Sequence, residues 1–154
     1  MADWRKYGED RHRPPGEWVQ TTVVEEVWGV NYRRSNANAF CKAVEAAERS
    51  GLIYGLALAP EPTNKNDPNA IAVFGQCMVK PFFRSPRLHQ WHIGYVQRDL
   101  ARELHQGLLS RGIPIASELY RIFEQDDYLE IKFIVLAPPG NGHKVRMRGQ
   151  RSER

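Results

Sequence analysis

The chain has 154 residues but only two cysteines, Cys41 and Cys77, far apart in sequence. They can build neither a disulfide framework nor a CxxC site. Cys41 follows Phe40 in a helical pattern and reads as a small buried hydrophobe. No apolar run approaches the ~18 residues of a membrane helix. The opening Met1, Ala2, Asp3, Trp4, Arg5 and Lys6 lack the apolar core of a signal peptide. A cytoplasmic protein is therefore expected, nucleoid-associated if bacterial, with no membrane partner. Catalytic signatures are missing too: there is no GxxxxGK[ST] loop, no GxSxG elbow and no HExxH pair. His12, His89, His92, His105 and His143 are scattered, and the His89/His92 pair has no third ligand of matching spacing. No catalytic residue, metal ligand or cofactor is expected.

What remains is ordinary globular material, 42% hydrophobic and 26% charged, with a net charge of +4 and a pI near 9.2. A mildly basic balance permits nucleic-acid binding without requiring it. The distribution says more. Residues 144–154 carry Lys144, Arg146, Arg148, Arg151 and Arg154 against Glu153 alone, a solubilising end whose natural second use is phosphate contact.

Residues 1–16 mix charges, show no period and end in Pro14, Pro15 and Gly16, reading as a flexible leader. Residues 18–28 are dense in β-branched and aromatic side chains and predict a strand. Ser35 or Asn36 then caps a helix whose Phe40, Val44 and Ala47 share one face, with Gly51 as its stop. Strands are predicted at 53–59, 70–74 and 91–96, with irregular chain over 75–90. A second helix at 99–111 carries Leu100, Leu104 and Leu108 as its stripe. Strands at 113–123 and 128–136 close the domain as a hairpin, and the basic tail begins at Pro138. The order lacks β-α-β alternation. Six short strands and two helices over 17–137 predict a mainly β fold, a small, partly open OB-like barrel.

The stretch at 61–73 organises the rest: Glu61, Pro62, Thr63, Asn64, Lys65, Asn66, Asp67, Pro68, Asn69, Ala70, Ile71, Ala72, Val73. Asn-Asp-Pro is a turn signal, because Asn and Asp bond their own downstream backbone and Pro fixes φ. A turn needs about four residues, and loops of about four to six are usual, whereas this connection runs from Glu61 to Asn69. Either it presents side chains to a ligand, or it is a tolerated long loop. Residues 80–89 interleave Phe82 and Phe83 with Lys80, Arg84 and Arg87, which suits stacked bases and phosphates or an anchored loop. Glu61 and Asp67, with Glu25 or Glu26, supply carboxylates enough for a metal-dependent nuclease as a minor alternative.

Gly29-Val30-Asn31-Tyr32, the 61–73 stretch and Ile93-Gly94-Tyr95-Val96-Gln97-Arg98, in this order, resemble the HIRAN domain. That family is a small OB-like barrel, stand-alone in bacteria and phages and fused to Rad5-type helicases in eukaryotes. The E-P-x-N-x-x-D-x-N-A-I-x-V pattern is the specific part, and the resemblance covers about 19–136. It implies a single-stranded DNA-binding module, in helicase-linked members one that captures a free 3′ end, in repair or replication beside a helicase or repair protein. Under it Tyr32 would stack on the terminal base and Asp67 would accept from the 3′-hydroxyl. Asn64 and Asn66 would line the pocket, with Tyr95 as a further contact and Arg98 on a phosphate. Arg33, Arg34, Phe82, Phe83 and Arg84 would add affinity. Asn31 stands where helicase-linked members carry arginine, with Arg33 or Arg34 as compensation, and Asn66 where they carry a tyrosine-like residue. Residues 75–90 are longer than the family's short turn. These departures touch 3′-end selectivity more than DNA binding. The rival reading is a protein-interaction module using the same loop, with an exposed apolar patch at Phe82 and Phe83.

Overall fold

The structure, a computed structural model, describes residues 5–142. The chain is mainly β with two α-helices, as expected, but among the described residues the strands number eight, in two antiparallel sheets. One sheet has the order β1 (Arg5–Tyr7), β7 (Ala116–Gln125), β8 (Tyr128–Ala137), β2 (Val19–Gln20), with β3 (Glu25–Glu26) also on β8. The other is β4 (Tyr54–Pro60), β5 (Ile71–Val79), β6 (Arg87–Tyr95). Among the described residues the strands pair as two sheets joined at their margins, and closure into the expected six-stranded barrel is not detected. At one margin Trp28 and Tyr95 exchange backbone bonds of 2.9 and 2.8 Å. At the other, Ser117 Oγ donates to the Leu56 carbonyl at 2.8 Å.

The expected strand at 18–28 is broken because a local bond competes with the ladder. Thr22 Oγ1 donates to the Val23 carbonyl at 2.8 Å and accepts from Val135 N at 3.1 Å, so only short pieces pair with β8. Residues 30–33 then form a 3₁₀ turn entered through Gly29, whose φ of 80° favours glycine. Helix α1 (Arg34–Ser50) follows directly, so neither Ser35 nor Asn36 is its cap. Asn36 instead donates to the His92 carbonyl at 3.0 Å. Gly51 stops α1 in the left-handed region, as expected.

Residues 5–16, expected as a flexible leader, make defined contacts with the domain. Arg5–Tyr7 pairs with β7. Arg11 and Arg13 then reach Glu118, buried on β7, at 3.0 and 2.6 Å, and the His12 ring packs edge-on to Tyr54. The irregular chain expected at 75–90 is likewise a hairpin: β5 and β6 pair out to Val79 and Arg87 around a turn. Helix α2 (Arg98–Gly107) is capped by Gln97, whose side chain accepts from Leu100 N. The basic run at 144–154 lies outside the described residues.

The core is one cluster. Phe40 and Val44 of α1, Ile71, Val73 and Ile93 of the small sheet, Leu100 and Leu104 of α2, and Ile122, Ile131 and Phe133 of the large sheet all join it. Two glycines allow the closest approaches. A Cβ at Gly75 would lie 2.5 Å from the Phe40 ring, and one at Gly94 would strike the Trp28 carbonyl oxygen.

Candidate nucleic-acid interface

The loop between β4 and β5 is closed at its base by Glu61 N to the Ala70 carbonyl, 2.8 Å, and Ala70 N to the Asp67 carbonyl, 3.0 Å. Inside, side chains do the work that a regular ladder does elsewhere. Asn64 Oδ1 accepts from Asn66 N and Asp67 N at 2.9 and 3.1 Å, and Asp67 Oδ1 accepts from Asn69 N at 2.9 Å. These are the Asx turns that the Asn and Asp spacing calls for. Glu61 Oε1 accepts from both Asn64 Nδ2 and Tyr95 Oη, each at 3.0 Å. One carboxylate thereby ties the loop to the end of β6. Burial first, and then the Glu61 carboxylate, hold the Tyr95 phenol above its ordinary pKa of 10.0.

Over this loop lies an open hollow of about 290 Å³, lined by Trp28, Asn64, Asn66, Asp67, Tyr95 and Arg98 among others. Its charged feature is Asp67 Oδ2, 3.8 Å from Arg98 Nε. That is too long for a hydrogen bond but close enough for attraction. Arg98 opens α2, where the helix dipole disfavours a cation, and Asp67 supplies the compensating charge. The Arg33 guanidinium sits 5.8 Å from the Tyr95 ring centroid.

No family model, no curated protein and no solved structure matches this chain.

Five of the expected residues, Asn64, Asn66, Asp67, Tyr95 and Arg98, thus meet at one hollow. Their roles divide. Asn64 is consumed in holding the turn, and the Tyr95 hydroxyl is committed to Glu61, so a ligand meets the ring. Tyr32 is 95% exposed on the 3₁₀ turn, in a separate hollow of about 340 Å³ with Asn31, Tyr128 and Leu129. Arg34 clamps the turn through Asn31 Oδ1, Asn38 Oδ1 and the Asp127 carbonyl, which leaves Arg33 as the cation nearer the hollow. Phe82, Phe83 and Arg84 are not brought to this site. They stand at the hairpin turn, at the far end of β6 from Tyr95.

Trp28 is the residue that the sequence reading missed. Its side chain, 53% exposed, lines both hollows and so lies between Tyr32 and Asp67. The available signal was alternation: Glu25 and Val27 are buried, so Trp28 falls on the outward face. The carboxylates of the nuclease alternative do not assemble. Among the described residues no three His, Cys, Asp or Glu side chains gather as a metal site. Glu61 is bonded to Tyr95 and Asn64, and Glu26 lines the other hollow.

Proposed function

We propose that this chain is a HIRAN-like module of OB-like architecture that binds single-stranded DNA and seats a free 3′ end in the hollow between Trp28 and Arg98. The observation that carries the reading is the half-engaged Asp67. One oxygen is locked into the turn, and the other faces the hollow beside Arg98 at 3.8 Å. A carboxylate accepts a hydrogen bond from a terminal hydroxyl but repels a phosphate. The arginine beside it takes the preceding phosphate. Exposed rings at Tyr32 and Trp28 offer stacking that is blind to base identity. A repair or replication setting, with a helicase or repair protein as neighbour, follows from the same reading.

Asp67→Asn separates the carboxylate's chemistry from its architecture, since the amide oxygen can still accept from Asn69 N. The variant no longer repels a terminal phosphate, so its affinity for an oligonucleotide ending in 3′-phosphate is expected to hold or rise. It should lose about tenfold for the 3′-hydroxyl form, in keeping with about 1.5–3 kcal/mol for a charged hydrogen bond. Equal loss on both ends, measured by fluorescence anisotropy, would show that Asp67 only shapes the loop.

A protein-interaction module remains the second reading, and the exposure of Phe82 and Phe83, 86% and 94%, is the observation that favours it. It calls for no salt-dependent binding of DNA. The DNA reading calls for affinity falling by roughly 0.7 log unit per log unit of salt for each phosphate neutralised.

A further inference from the structure

The β5–β6 hairpin has two unlike faces. Gly75, Cys77 and Val79 alternate with Phe74, Gln76 and Met78, and the register pairs each set across to β6. The first set turns toward α1: Phe40 lies against Gly75, and Cys77 Sγ meets the Ala43 carbonyl. The second set, Phe74 with His92, Gln76 with Gln90 and Met78 with Leu88, faces away from α1. Here the Tyr95 and His92 rings meet at 5.0 Å and the His92 and Phe74 rings stack at 4.9 Å. Gln76 Nε2 donates to Gln90 Oε1 beyond them, Leu88 is exposed, and the turn then presents Phe82 and Phe83. Those two rings touch only edge-to-face, 4.5 Å apart, and Phe83 is held at φ 64°, a conformation that a bulky residue rarely takes.

Charge identifies the occupant. From residue 68 to residue 98 there is no Asp or Glu, while Lys80 and Arg84 at the turn and Arg98 at the hollow are cations; Arg87, opposite Val79, belongs to the set turned toward α1. Among the described residues neither Lys80 nor Arg84 is in an ion pair. Rings spaced along an acid-free ribbon with cations at its tip suit a polyanion that carries flat bases. We infer that the hairpin face is a second contact for the same single strand, leading from the Asp67 hollow to the phenylalanine tip. The inference rests on the DNA reading above and deepens it, giving the site a length and a direction. Nine residues of β6 at ~3.3 Å each span about 30 Å. That is about nine nucleotides at 3.4 Å per stacked nucleotide. The 3′ end lies in the hollow and the strand runs in the 5′ direction toward Phe82 and Phe83.

The test compares 5′-labelled oligothymidylates of four and twelve nucleotides, bracketing site sizes of about 4–16, with 3′-hydroxyl or 3′-phosphate ends. The proteins are the full chain and its Phe82→Ser/Phe83→Ser variant, whose exposed positions should leave the melting temperature unchanged. The expected result is a twelve-mer bound about tenfold or more tighter than the four-mer, an advantage that the variant loses while the four-mer is unaffected. A length advantage that survives the variant, or none in the full chain, overturns the track. End preference reports separately. Preference for 3′-hydroxyl without a length advantage leaves the end pocket standing and overturns only the track. A Phe-dependent length advantage without end preference supports the track and removes the pocket. Phe-dependent sedimentation with phosphatidylserine vesicles and no length advantage would assign the tip to a lipid surface instead, overturning the track.

Discussion

At the scale of single residues, two carboxylates six positions apart do different jobs because their neighbours differ. Glu61 is a structural tie with two donors on one oxygen, whereas Asp67 keeps one oxygen at the hollow. The Asx turns were legible from Asn64, Asp67 and Pro68, since that chemistry is local. The tie from Tyr95 to Glu61 was not, because it joins residues 34 apart that meet only after β6 pairs with β5. His92, in the same group of rings, has its pKa held below the ordinary 6.5 by burial first and by the Arg33 charge second. The unfolded chain therefore takes up this proton at a higher pH than the native chain. Between pH 6.5 and the lower native value the unfolded state binds more protons, and stability falls as the solution is acidified. His92→Gln is expected to flatten the dependence of urea midpoint on pH below the ordinary histidine value of 6.5, relative to the wild type. Parallel profiles for the two proteins would show that His92 does not titrate in this window.

At the scale of elements, helices were the easier reading. The stripes of α1 and α2 follow a 3.6-residue period, and Phe40, Val44, Leu100 and Leu104 are buried as expected. Two strand readings failed for opposite reasons. The stretch at 18–28 looked continuous by propensity but is broken by the Thr22 side chain. The stretch at 75–90 looked irregular because its turn holds Pro81 and Pro86, and because its open face carries Gln and His. Its regularity comes from the partner strand, which propensity does not see. Gly94 shows how tightly β6 is held at its other end. Its missing Cβ makes room for the Trp28 carbonyl at the bridge between the sheets. Gly94→Ala is expected to cost about 1–3 kcal/mol in chemical denaturation, the range of overpacked cores. It should also weaken DNA binding, because Trp28 and Tyr95 line the same hollow. A variant as stable as the wild type would mean that the bridge yields without cost.

At the scale of the molecule, the mainly β class with two helices was legible, and so was the final hairpin, whose Leu129, Ile131, Phe133 and Val135 alternate in the core. Division into two sheets was not, since it depends on which strands meet through space. Nor was the role of residues 5–13, whose mixed charges resemble a loose end until Glu118 is found buried beneath Arg11 and Arg13. Arg11→Ala/Arg13→Ala leaves that carboxylate without its cations and is expected to cost about 2–3 kcal/mol, read from urea unfolding. An unchanged midpoint would show that this segment adds nothing to the fold. End capture rests on the hollow at Trp28, Asp67 and Arg98. Its most direct measurement is fluorescence anisotropy with a short single-stranded oligonucleotide carrying a 3′-hydroxyl or a 3′-phosphate. Tighter binding of the 3′-hydroxyl form by about tenfold is the expected result, from one charged hydrogen bond gained and one like-charge contact avoided. Equal binding of the two would contradict end capture, and no binding of either at low salt would contradict the nucleic-acid reading altogether.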